Sequence, residues 1–135
     1  MAKNYIADSS ALVALLSRDD EHHPWITLQA GALPWPWATC EAALSEAFYL
    51  VGDSGTPKLK ELLRRRAVVL SFDLAEQLQP VLDMMDKYAD VPMSLADACL
   101  VRMSETLPDP LVVTTDGDFK IYRRLGRQVV PCLLP

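Results

Sequence analysis

Apolar residues come in short bursts separated by polar stretches, and their period changes along the chain. "NYIAD" is an apolar run closed by an acid, the pattern of a buried strand ending at Asp8. "SSALVALLSRDD" places Leu12, Leu15 and Leu16 at helical spacing behind a candidate cap at Ser9 or Ser10, and dissolves into charge from Arg18 to Glu21. "HHPWITLQA" predicts a second short helix opened by Pro24, whereas "LPWPW" has too many prolines for more than a short edge-like strand or an extended connector. A helix from about Cys40 to Val51, closed by "GDSG", comes before "TPKLKELLRRR", a helix with Pro57 near its first turn. "AVVLS" is a strand, and "DLAEQLQPVLDMMDKYAD" predicts a long helix bent at Pro80. "SLADACLVRMSE" is a further helix, "LVVTT" a strand and "RQVVPCLL" the last strand.

Strands therefore alternate with helices, the strands are short and unpatterned, and no repeat intervenes. The expected fold is α/β, with a mainly parallel central sheet of about five short strands flanked by helices. A chain of 135 residues is sized for one domain, taken as 1–135. Half of the residues are hydrophobic and 23% are charged, enough for an ordinary globular core. Cys40, Cys99 and Cys132 are odd in number and widely spaced, which fits buried reduced thiols better than disulfides or zinc. The charged start lacks the apolar run of a signal peptide and no stretch is long enough to span a bilayer, so a cytoplasmic, membrane-free location is expected. A net charge of -5 argues against a generic nucleic-acid coat protein. It leaves room for an enzyme that gathers its acids around cations.

The placement of the acids therefore matters. Parallel sheets carry functional groups at the carboxyl ends of their strands, where Asp8 and Asp116 both fall. Each has a structural alternative: Asp8 can cap the next helix, and the Asp-Gly of "TTDGDF" can turn a hairpin. Two helices add to the picture. The helix from Cys40 to Val51 is apolar nearly all round and so is expected to be buried between layers, yet Glu46 lies in its middle with no basic neighbour three or four residues away. In the helix from Ser94 to Glu105, Asp97 likewise has no basic neighbour three or four residues away, with a capping box to Ser94 as the structural alternative. A carboxylate withdrawn from water without a partner costs several kcal/mol or protonates. His22 and His23 are expected at the surface and have no ligand-like spacing, there is no nucleophile elbow, and the five glycines are isolated. An all-oxygen cluster suited to a hard divalent cation remains.

The segments "YIADSSALVALL", "CEAALSEAFYLV", "MSLADACLVRMSE" and "VVTTDGDFKIYRRLGRQVVP" together resemble a PIN domain, in particular the small bacterial and archaeal type found as VapC toxins. The resemblance spans the whole chain in the family's order. It implies a ribonuclease using Mg2+, with Mn2+ able to substitute, and leaving a 5'-phosphate and a 3'-hydroxyl. Its catalytic and metal-binding acids would be Asp8, Glu46, Asp97 and Asp116, with Asp118 as a further metal ligand and Glu41 as an outer or merely exposed acid. It also implies a small VapB-like antitoxin that covers the acidic site, and a homodimer. The rival reading is a catalytically inactive PIN-like module that binds RNA or protein. For the RNA backbone, Arg123, Arg124 and Arg127 are candidate contacts, with Lys120 beside them, and the run Arg64 to Arg66 is a second candidate. Trp25, Trp35 and Trp37 are expected in the core or an interface.

Overall fold

The computed structural model describes residues 3–135. The chain begins with β1 (Asn4–Ala7), continues through α1 (Ser9–Leu16) and α2 (His23–Ala32) to β2 (Trp37–Thr39), then α3 (Glu41–Arg64) and β3 (Val68–Leu70). Helices α4 (Leu74–Lys87) and α5 (Leu95–Thr106) precede β4 (Pro110–Val113), a 3-10 helix (Gly117–Lys120), β5 (Arg123–Arg124), β6 (Gln128–Val129) and β7 (Cys132–Leu133). The order of the main sheet is β3-β2-β1-β4-β7, and every neighbouring pair is parallel. The fold class is the expected one.

Alternation within the strands builds two cores, because successive side chains leave opposite faces of a sheet. Ile6, Ala38 and Val112 pack against Val81 and Met84 of α4 and Leu100 and Met103 of α5. Ala7, Trp37 and Val113 pack on the other face against Leu12 of α1, Ile26 of α2 and Leu59 of α3. Both faces are covered, so the strands need no polar side and their sequences show none.

The chain steps outward from β1 to β2 to β3, then crosses back to lay β4 against the other side of β1. The order reverses between β1 and β4, and a crevice opens beyond their carboxyl ends at such a point. The pairing Ala7↔Val113 fixes the register there. Asp8 and Thr114 are the next residues out.

Three local expectations need correction. The "LPWPW" strand is interior, because Pro34 and Pro36 stand ahead of Trp37–Thr39 and remove no hydrogen bond from its ladder. "RQVVPCLL" is two strands divided at Pro131: β6 pairs antiparallel with β5, and β7 joins the main sheet. Helix α4 is the single long helix expected, with Pro80 inside it. The two helices expected either side of "GDSG" are present, but they meet at a kink with no loop, where Gly52 has φ 66° and ψ -166°.

Two glycines support that kink in different ways. A Cβ at Gly52 would meet nothing within 4 Å, whereas one at Gly55 would sit 2.5 Å from the Cβ of Val51. Gly52→Ala is expected to cost about 1–2 kcal/mol through backbone strain alone. Gly55→Ala should cost about 2–3 kcal/mol, because the turn holding Val51 must move. Urea unfolding of the two variants checks the ranking, and equal midpoints would refute it.

Candidate active site

Asp8 continues β1 past its last paired residue, its N–H donating to the Val113 carbonyl at 3.0 Å. It stands at the N-cap position of α1, but its side chain caps nothing. The Ser10 and Thr114 hydroxyls donate to Oδ2 at 2.8 and 2.7 Å, and the Ser9 hydroxyl lies 3.4 Å from Oδ1. The helix-cap alternative for Asp8 therefore fails, and Ser9 and Ser10 are the first helical residues, not caps. Asp8 is only 3% exposed. Burial pushes its carboxyl up to about 6 despite the Thr114 and Ser10 hydrogen bonds, and the charges of Asp97 and Asp116 push the same way.

Thr114 follows β4 directly and is fully buried, and its hydroxyl works in two directions. It donates to Asp8 and accepts the Asp116 N–H at 2.9 Å. Asp116 in turn caps the 3-10 helix, its Oδ1 accepting the Asp118 N–H at 2.9 Å, so "TTDGDF" starts a helix and no hairpin forms. Thr115 takes a different part, donating its N–H to Ser10 Oγ at 3.0 Å. Asp116 is half-buried and Asp118 is exposed.

Glu46 departs from expectation. The first half of α3 is not buried all round: Glu46 is exposed, as are Tyr49 at 86% and Leu50 at 54%. Small residues, Ala43 and Ala47, make the buried stripe, and counting alanines as apolar hid the polar face. Glu46 Oε1 accepts the Ser9 hydroxyl, so Ser9 stands between the carboxylates of Asp8 and Glu46. Glu41 is exposed.

Asp97 does form the capping box with Ser94: its N–H donates to Ser94 Oγ at 3.0 Å, and its Oδ2 accepts the Ser94 N–H at 3.3 Å. The same Oδ2 also accepts the Tyr122 hydroxyl at 3.1 Å. Burial pushes the Asp97 carboxyl upward, and the Asp116 charge adds to the shift. Burial likewise pushes the Tyr122 phenol up, with the Asp97 charge next in weight.

Hydroxyl groups thus join three of the acids, with Ser9 between Asp8 and Glu46 and Thr114 between Asp8 and Asp116. Asp97 joins the set through its charge, which raises the Asp8 carboxyl. Among the described residues none of the four has a Lys, Arg or His partner within 4.0 Å, and no three His, Cys, Asp or Glu side chains converge closely enough to hold an ion as they stand. The hydroxyl partners were visible in the sequence only as "DSS" and "TTD", patterns that helix capping accounts for equally well. Nothing in the sequence linked Tyr122 to Asp97.

The basic residues divide. The Arg123 guanidinium donates to the carbonyls of Lys120, Ile121 and Tyr122, and that of Arg124 to the Ser104 carbonyl and Gln128. Both hold the backbone of their own segment, while Lys120 and Arg127 are exposed. Arg64, Arg65 and Arg66 come just before β3, at the opposite end of the parallel sheet from Asp8. His22 and His23 are half-buried, with His23 Nδ1 2.7 Å from the Ala14 carbonyl. Trp37 is fully buried with Trp35 stacked on it at 4.1 Å, and Cys40 and Cys99 are buried while Cys132 is half-buried. Among the described residues no helix is long and apolar enough to cross a membrane.

An open, all-parallel α/β sheet with carboxylates beyond the strand ends at its switch point defines the class: an α/β domain whose crevice lies where such sheets carry their functional groups. A model of the PIN domain matches residues 5–125, and the chain belongs to the PIN-domain family. The crystal structure of the Mycobacterium tuberculosis toxin VapC20, described as cleaving the sarcin-ricin loop, is similar in fold. The TM-score is 0.79 at 17% identity, covering 87% of this chain and 94% of that one. A search of curated proteins finds no match.

Proposed function

We propose that this protein is a divalent-metal-dependent ribonuclease, the toxin of a toxin-antitoxin pair. The observation that carries the reading is the set of acids Asp8, Glu46, Asp97 and Asp116, supplied by different elements and linked by hydroxyls or charge, with no basic side chain among the described residues to neutralise them. Like charges gathered this way are costly unless something cationic joins them. Oxygen-only donors suit Mg2+ or Mn2+, and Asp8, Glu46, Asp97 and Asp116, with Asp118 nearby, would hold the ion. A bound divalent cation would neutralise charge on the phosphate and lower the pKa of a water, so that it can lose a proton and attack as hydroxide.

The chain's own residues prepare the site. Thr114 and Ser10 fix one oxygen of Asp8, and Thr114 also holds the backbone at Asp116, so both acids are positioned before substrate arrives. Lys120 and Arg127 are exposed cations near Asp118 in sequence, available to the RNA backbone; Arg123 and Arg124 shape the loop that presents them. Tyr49 and Leu50, exposed one turn beyond Glu46, offer apolar surface for an antitoxin or a second copy of the chain.

The test is cleavage of a mixed pool of structured and single-stranded RNAs by purified, partner-free protein. The pool should include a hairpin of the sarcin-ricin loop, the target named for VapC20. Cleavage is expected with Mg2+ or Mn2+, and loss is expected with EDTA or with Asp8→Asn. Cleavage that persists in both controls would sink the proposal.

A further inference from the structure

The structure assigns Tyr122 as a positioning residue that ties Asp97 on α5 to the segment carrying Asp116 and Asp118, leaving Asp97 Oδ1 as the oxygen free for a cation. The inference rests on the metal-dependent reading above.

Tyr122 lies two residues past the end of the 3-10 helix that Asp116 caps, and its own N–H donates to the Asp118 carbonyl at 3.3 Å. The backbone that places Asp116 and Asp118 therefore places Tyr122. Its side chain is fully buried, with the ring edge-on to Phe119 at 5.4 Å and to Tyr88 at 5.3 Å. Rings packed at these angles leave the phenol little freedom to swing.

The hydroxyl has two acceptors within reach, Asp97 Oδ2 at 3.1 Å and the Pro92 carbonyl at 3.3 Å, and a single proton to give. A carboxylate is the stronger acceptor. Oδ2 already takes the Ser94 N–H at 3.3 Å, so the capping box and the phenol together engage one oxygen, and no hydrogen bond from the described residues engages the other. Asp97 thereby keeps both readings that its sequence allowed: it caps its helix with one oxygen and offers the other. The capping contact alone is long, and the phenol is the hydrogen bond that reaches the Asp97 carboxylate itself from the segment beyond the 3-10 helix.

Tyr122→Phe removes the hydroxyl and keeps the ring. Tyr88→Phe is the matched control: it removes a hydroxyl from the same aromatic cluster, one that accepts the Arg123 N–H at 2.8 Å and does not touch Asp97. Mn2+ affinity of both variants and wild type, measured by calorimetry, reads the difference. Tyr122→Phe is expected to bind Mn2+ about tenfold more weakly, the usual loss when a partner of a metal ligand is removed, and Tyr88→Phe to match wild type. RNA cleavage by Tyr122→Phe should fall at limiting Mn2+ and recover at saturating Mn2+. Tyr122→Phe binding within twofold of wild type would overturn the assignment, as would an equal loss in Tyr88→Phe. Wild type that binds no Mn2+ would remove the metal-dependent reading and this inference with it.

Discussion

Asp8→Asn will melt at a higher temperature than wild type in metal-free buffer at pH 7.5, and it will not cleave RNA. The reason lies in the direction of the Asp8 shift. Its carboxyl titrates at about 6 when folded, against 3.8 for the unperturbed group. Below about pH 4 the group is protonated in both the folded and the unfolded chain and costs nothing. As pH rises through 6 the folded chain must ionise a carboxyl that the unfolded chain gave up earlier, so stability falls across that window. A shift of this size corresponds to a loss on the order of 3 kcal/mol above pH 6. Asn cannot ionise but leaves some hydroxyl contacts imperfect, so the net gain should be about 1–2 kcal/mol, or roughly 3–6 °C. Wild type should therefore lose melting temperature between pH 5 and 7.5 more steeply than the variant. Adding Mn2+ should reverse the order, since binding at 100 times the dissociation constant contributes about 2.7 kcal/mol to wild type. Thermal scans at several pH values, with and without Mn2+, check all of this. A variant no more stable than wild type without metal would mean that Asp8 bears no burial strain.

Thr114→Val should unfold with a loss of about 2–3 kcal/mol and should impair cleavage as strongly as loss of an acid. Val has nearly the shape of Thr, so packing at this fully buried position is kept and only the hydroxyl goes. Two groups then lose a partner at once: Asp8 Oδ2, which accepted at 2.7 Å, and the Asp116 N–H, which donated at 2.9 Å. The Asp116 N–H loses its acceptor outright and the buried Asp8 carboxylate keeps only the Ser10 hydroxyl on that oxygen, and both losses are expensive. Thr114→Ser keeps the hydroxyl and should recover most of both losses. Because Thr114 acts partly through Asp8, Thr114→Val should cost less in an Asp8→Asn background, with a coupling above about 0.5 kcal/mol. Urea unfolding of the four proteins measures it, and additive effects would show that the two side chains do not work together.

Particular residues show how far the sequence could be read. Asp8 and Asp116 were legible because an acid that directly follows an apolar strand must lie at a sheet end, and an alternation of short strands with helices makes that end the carboxyl edge of a parallel sheet. The PIN-domain match over residues 5–125 takes in both of these acids. Glu46 was found for a reason that did not hold. The helix around it is apolar by count, but its alanines face the core while Tyr49 and Leu50 face water, and periodicity cannot choose between apolar faces of similar strength. Asp97 was ambiguous because a capping box and a ligand ask for the same residue at the same spacing, and the structure keeps the box.

The sequence by itself determined the class of fold, the strand ends that carry acids, and the absence of any histidine, cysteine or glycine pattern for other chemistry. These follow from local periodicity and composition, which one chain displays directly. Only the tertiary structure decided that β2 is interior, that the last apolar run divides between two sheets, that Thr114 and not Thr115 bridges two acids, and that Tyr122 reaches Asp97. Each of these depends on which distant residues meet across the sheet and its switch point between β1 and β4. A hydroxyl 106 residues from its carboxylate leaves no trace in the spacing of either.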